Sequence, residues 1–132
     1  MDRRDFHVTI KGLFFDDRGR ILLLREPSGV WDLPGGRLEH GESFHAALQR
    51  ECQEEMALEC EVLDQVPYWA WPAQDRDGLW KVVLCFRIRL GSLAFTASDE
   101  CVALEFFDAS KFDAAPVVPQ TRPLLRHLRG QQ

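Results

Sequence analysis

Gly36-Arg37-Leu38-Glu39-His40-Gly41-Glu42, followed by the run from Ser43 to Met56 that ends Arg50-Glu51-Cys52-Gln53-Glu54-Glu55-Met56, decides how the rest of the chain is read. The run holds no Gly or Pro and is rich in Ala, Leu, Gln and Glu, so propensity makes it a helix. Gly41 precedes it, and Ser43 can serve as its N-cap. At about 100° per residue, Phe44, Ala47, Leu48, Cys52 and Met56 form an apolar arc. Glu51 and Glu55 fall inside that arc, with Glu54 at its edge. A solvated acidic face would lie on the other side. The C-terminal half of a helix also carries partial negative charge, which disfavours acids there. Carboxylates turned inward repel one another and lose hydration unless something cationic sits among them. A hard divalent cation meets that need, since Mg²⁺ is held by a few carboxylates plus substrate phosphates. The competing reading is an acidic helix end paired with Arg or Lys.

The same stretch resembles the Nudix box, Gly-x5-Glu-x7-Arg-Glu-U-x-Glu-Glu-x-Gly-U, where U is aliphatic. Gly36, Glu42, Arg50, Glu51, Glu54, Glu55 and Leu58 match it in register. Cys52 stands where the pattern has an aliphatic residue, a mild change because free Cys packs as a small hydrophobe. Ala57 replaces the glycine that follows the helix. A left-handed C-cap is expected there, and Ala would cost roughly 1 kcal/mol or shift the turn. The resemblance extends over nearly the whole chain and is tightest over residues 31–58. The fold it implies is α/β (α+β), a mixed β-sheet sandwiched between helices as α/β/α. The length fits a single domain over residues 1–132.

Chemically, the resemblance implies a hydrolase of acid anhydrides, cleaving a phosphoanhydride in a nucleoside diphosphate linked to another moiety. Such a bond resists water because its oxygens are negative, and a divalent metal neutralises them and acidifies water. Mg²⁺, with Mn²⁺ as substitute, would be held by Glu51, Glu54 and Glu55. The stretch Trp31-Asp32-Leu33-Pro34-Gly35-Gly36 would add the Gly35 carbonyl. Glu100 would supply a further carboxylate, with Asp99 and Glu105 as its competitors. The general base stays open among the carboxylates. Arg50 is always charged, so it would orient a neighbouring glutamate with Glu42 as partner. His45 reads as a helix packing residue and His40 as a loop residue.

Composition is an ordinary soluble globular mix: 45% apolar and 28% charged residues, with a net charge of -5. That charge argues against a polymeric nucleic acid partner, though not against a nucleotide held through metal. The four cysteines, Cys52, Cys60, Cys85 and Cys101, show no metal-finger spacing and read as reduced packing residues. The charged start Met1-Asp2-Arg3-Arg4-Asp5 is no signal peptide, and no apolar run approaches about 18 residues. A cytoplasmic location, no membrane partner, and a monomer or homodimer are expected.

Outward from the box, His7–Phe15 and Ile21–Arg25 read as strands of one β-hairpin around the turn Asp16-Asp17-Arg18-Gly19. The continuous run Ile21-Leu22-Leu23-Leu24 suggests burial on both faces. Residues 59–67 read as a strand, 80–90 as a long strand, and 101–107 as a short one followed by a small helix from Asp108 through Phe112. Thr121–Arg129 reads as a helix with Leu124, Leu125 and Leu128 on one side; Arg122, Arg126 and Arg129 lend its end positive charge. Tyr68, Trp69, Trp71 and Trp80 surround a polar loop from Pro72 to Gly78. Trp31, Trp69, Trp71 and Trp80 are the candidate substrate contacts, since an aromatic face stacks on a nucleobase. Core and hairpin packing is the competing reading for each ring. Small size and the aromatic loop lean toward a nucleoside triphosphate, damaged ones included. The alternatives are an ADP-ribose or nucleotide-sugar pyrophosphatase, to which Pro72 hints, and a non-catalytic nucleotide-binding module.

Overall fold

The computed structural model describes residues 5–75, 77–110 and 116–130. In chain order its elements are β1 (His7–Leu13), β2 (Ile21–Arg25), β3 (Trp31–Asp32), β4 (Gly35–Arg37), α1 (Phe44–Met56), β5 (Cys60–Val62), β6 (Trp69–Gln74), β7 (Trp80–Leu90), β8 (Ala103–Phe107), a 3-10 turn (Pro119–Thr121) and α2 (Arg122–Arg129). β1 sits inside a mixed sheet, parallel to β7 from His7↔Lys81 to Leu13↔Arg87 and antiparallel to β4 from Thr9↔Arg37 to Lys11↔Gly35. The other edge of β7 is shared between β6, over Trp80 to Cys85, and β5, over Ile88 to Leu90. A second, antiparallel sheet runs β3-β2-β8.

β2 explains its own unbroken apolar run. Ile21 and Leu23 face a core with Leu124, Leu125 and Leu128 of α2. Leu22 and Leu24 face the other core with Ala47, Leu48, Cys52 and Met56 of α1. β7 divides the same way, Val83 and Cys85 toward α2, Phe86, Ile88 and Leu90 toward α1. Each buried Leu or Ile contributes roughly 1.5–3 kcal/mol. The sheets thus lie between two helices, as the resemblance implies. All four cysteines are buried and unbridged. No helix among the described residues is long and apolar enough to cross a membrane.

The structure corrects four local expectations. β1 and β2 are not a hairpin ladder; they join different sheets, and their flanks are linked by the bridge Phe15↔Ile21, the Leu22 N–H to Phe14 O bond of 3.0 Å and the Asp16 N–H to Arg20 O bond of 2.9 Å. Both edges of each strand are already taken, so contiguity in sequence loses to longer pairings. The turn between them does form, with Asp16 Oδ1 accepting from the backbone of Arg18 and Arg20 at 2.9 and 2.8 Å. The strand expected over residues 59–67 stops at Val62, because Asp64 takes over Arg87: its carboxylate accepts from the Arg87 N–H at 2.8 Å and from the guanidinium at 2.7 Å. Pro72 lies within β6, opposite Val82, which an edge strand tolerates; the loop shrinks to a turn at Asp75–Leu79. Phe44, expected on the apolar arc, is 39% exposed, with its ring 5.9 Å from that of Phe86, while Glu55 faces inward as expected. Of the small helix expected from Asp108 through Phe112, Ala109 and Ser110 begin a 3-10 turn, and residues 111 and 112 lie outside the described residues.

Candidate active site

α1 begins where Ser43 Oγ accepts from the Ala46 N–H at 3.1 Å, a side-chain N-cap. It ends at Ala57, which adopts the left-handed conformation itself (φ 56°, ψ 38°) and donates its N–H to Gln53 O at 2.9 Å. The turn is kept, and the Cβ strain, about 1 kcal/mol, is carried rather than relieved. Between these ends, Glu51 and Glu55 face β4. Gly36 makes room for Glu51, and Gly35 lets β4 close on β1. A Cβ on Gly36 would lie 2.6 Å from Glu51 Oε1. Gly35 holds φ +127°, and a Cβ there would lie 2.1 Å from Ile10 O. Its N–H donates to Glu55 Oε1 at 2.8 Å.

Glu55 is 6% exposed. Burial pushes its carboxyl up to about 8, against the pull of Lys11 and the Gly35 N–H. Glu51 is also raised by burial, with Arg50 opposing. The third acid arrives from the loop before β8. Ser98 Oγ donates to Glu55 O at 2.8 Å and accepts from the N–H groups of Glu100 and Cys101 at 3.1 and 3.2 Å. This staple brings Glu100 to the helix, and carboxylate oxygens of Glu51, Glu55 and Glu100 all lie within 4.8 Å of one another. Asp99 and Glu105 are exposed and outside that group. Oxygen donors at this spacing, one of them too buried to stay ionised alone, fit a hard divalent cation.

Two cations flank the group. On the outer side Arg50 grips Glu42 with Nε at 2.7 Å and Nη2 at 3.0 Å, and reaches Glu51 at 3.0 Å and Glu54 at 3.2 Å with Nη1. The guanidinium holds Glu42 below the usual carboxylate range. This is the arrangement expected of Arg50 and Glu42. Glu54 is different: 52% exposed and turned to Arg50, it stands at the rim and outside the three-acid group. On the inner side Lys11 Nζ donates to Asp32 Oδ2 at 2.9 Å, Leu33 O at 3.2 Å and Gly35 O at 3.1 Å. Burial alone would lower its pKa; Asp32, Glu55 and Glu51 together outweigh that and raise it. Asp32 also accepts from Thr121 Oγ1 at 2.6 Å, tying the site to the start of α2.

Ser98 and Lys11 were not singled out from sequence. A serine two residues before an acid, and a lysine inside an apolar strand, were the available signals. His45 packs edge-on to Phe86 at 5.7 Å and bonds Asp64 O at 2.8 Å, and His40 is an exposed loop residue, both as expected. The tryptophans divide. Trp71 is 5% exposed and donates its indole N–H to Gln120 O at 2.7 Å, so it is a core residue rather than a stacking platform. Trp69 stacks on His127 at 4.2 Å with the rings 4° apart, and Trp31 meets Phe107 edge-on at 5.0 Å. Trp80 is 49% exposed.

The chain is 40% identical over 63 residues to the 8-oxo-dGDP phosphatase NUDT18 of Homo sapiens, covering 45% of this chain and 20% of that protein. It is 33% identical over 76 residues to the 8-oxo-dGTP diphosphatase of Proteus vulgaris, covering 52% of this chain and 67% of that one. The match to NUDT18 therefore spans about a fifth of that relative's length, 20%. The fold superposes on the MutT protein of Methanosarcina mazei Go1 with a TM-score of 0.81 at 17% identity, covering 99% of this chain and 98% of that one. A model described as the NUDIX domain matches residues 5–128, a span that contains the glycine loop, acidic helix and sheets just described, and the chain belongs to the Nudix family.

Proposed function

We propose that this chain is a Mg²⁺-dependent pyrophosphohydrolase that cleaves a phosphoanhydride in a small nucleotide, with a nucleoside triphosphate bearing an oxidised base as the first substrate to test. The supporting observation is the convergence of Glu51, Glu55 and Glu100 on one point, with Glu55 buried. A divalent cation bound there supplies neutralisation of the phosphate oxygens and acidification of the attacking water. The chain's own residues do the rest. Arg50, braced by Glu42, fixes the Glu51 carboxylate. Gly35 and Ser98 fix Glu55 and Glu100 from either side. Glu54, at the rim, and the Gly35 carbonyl would be further ligands. A carboxylate of the group accepts the proton from water.

The oxidised-base preference rests on the names of two relatives, an 8-oxo-dGDP phosphatase and an 8-oxo-dGTP diphosphatase. The hint toward ADP-ribose weakens, because Pro72 sits in an edge strand and not in a loop. The test is a panel of nucleoside di- and triphosphates, oxidised and normal, with ADP-ribose and nucleotide sugars, scored by kcat/KM with Mg²⁺ and with chelator. Triphosphates should give a nucleoside monophosphate and pyrophosphate, and chelator should abolish turnover. No turnover of any nucleotide with Mg²⁺ would remove the proposal.

A further inference from the structure

Lys11 is a charge the proposed chemistry does not use. Its side chain is 11% exposed, on an interior strand of the larger sheet, and it has Asp32 as its ion-pair partner. Three acceptors surround its Nζ, and one is the Gly35 carbonyl, the atom expected to ligate metal. Gly35 offers its N–H to Glu55 and its carbonyl to Lys11, so a single residue separates the ammonium from the buried carboxylate. A fixed positive charge at that range repels a divalent ion through a medium that screens far less than water. It also removes part of the mutual repulsion of Glu51 and Glu55 when no ion is bound.

We propose, on the reading that Glu51, Glu55 and Glu100 hold a divalent ion, that the Lys11 ammonium is a resident cation of the cluster: it occupies the Gly35 carbonyl, opposes the ion in the bare protein, and makes tight metal binding depend on the negative charge that a nucleotide polyphosphate brings. Ion and nucleotide then bind with positive coupling, and linkage requires each to tighten the other by the same factor.

The experiment measures Mn²⁺ affinity by electron paramagnetic resonance, with and without a methylene-bridged nucleoside triphosphate that cannot be cleaved. Lys11→Gln keeps a hydrogen-bond donor and loses the charge; Lys11→Arg keeps the charge. The glutamine variant should bind Mn²⁺ alone about tenfold tighter or more, with a correspondingly smaller gain from the nucleotide, while the arginine variant stays near wild type. Asp32→Asn leaves the ammonium less compensated and should weaken Mn²⁺ binding, which gives a reading even where the glutamine variant does not fold. Unchanged or weaker Mn²⁺ binding in Lys11→Gln, equal tightening in Lys11→Arg, or unchanged or tighter binding in Asp32→Asn would overturn the role of Lys11. No Mn²⁺ binding in wild type, with or without nucleotide, would instead fell the metal-site reading beneath it.

Discussion

The outer and inner flanks of the acidic cluster carry one cation each and differ in nearly everything else. Arg50 on the outer flank has a side chain 25% exposed and shares its donors among Glu42, Glu51 and Glu54. Lys11 on the inner flank is 11% exposed and spends its donors on Asp32 and two backbone carbonyls. Outer pairs are screened by solvent, and each exposed ion pair is worth about 0–1 kcal/mol. Inner charges have given up hydration and hold only while every partner is in place. Glu54 and Glu55, neighbours in sequence, fall on opposite sides of this divide: 52% exposed against 6%. The lesson is that position relative to β4, not the carboxyl group itself, sets what each acid can do.

The largest effect should come from the buried member. Glu55→Gln keeps an acceptor for the Gly35 N–H and loses the charge, so kcat with Mg²⁺ should fall on the order of a thousandfold, while the melting temperature holds or rises. A stable variant with full activity would break the distinction between flanks. Next comes the staple. Ser98→Ala frees the Glu100 loop from the end of α1, and activity should drop about tenfold to a hundredfold, with Ser98→Thr restoring part of it. Glu54→Gln should cost less than Glu55→Gln, about tenfold in kcat. Equal losses in the two variants would make Glu54 a full ligand, as the box pattern alone suggests.

What the sequence made legible was local. Helical spacing placed Glu51 and Glu55 inward, and Gly35-Gly36 marked the place where the backbone comes close. The run Ile21-Leu22-Leu23-Leu24 announced a strand buried on both faces. Partner choice was not legible. Lys11 pairs with a residue 21 positions away, and Ser98 with one 43 positions away, through a sheet order that neither neighbourhood encodes. The hairpin expectation failed for the same reason, since β1 found a better edge on β7. Trp71 stayed open between a stacking contact and core packing because nothing nearby announces its bond to Gln120.

The smallest predicted effect lies where the helix leaves the site. Ala57 holds the left-handed cap against its own Cβ. Ala57→Gly should raise stability by about 0.5–1 kcal/mol, read as a higher denaturation midpoint, with metal binding unchanged. A loss of stability would mean that the entropy of the added glycine outweighs the strain it relieves.

The most direct measurement follows the carboxyl carbons of the glutamates by ¹³C NMR while Mg²⁺ and an uncleavable nucleotide are added. Glu51, Glu55 and Glu100 should shift together at one common midpoint, ahead of Glu105 on β8. Saturating Mg²⁺ and nucleotide that leave these three resonances where they began would contradict the account.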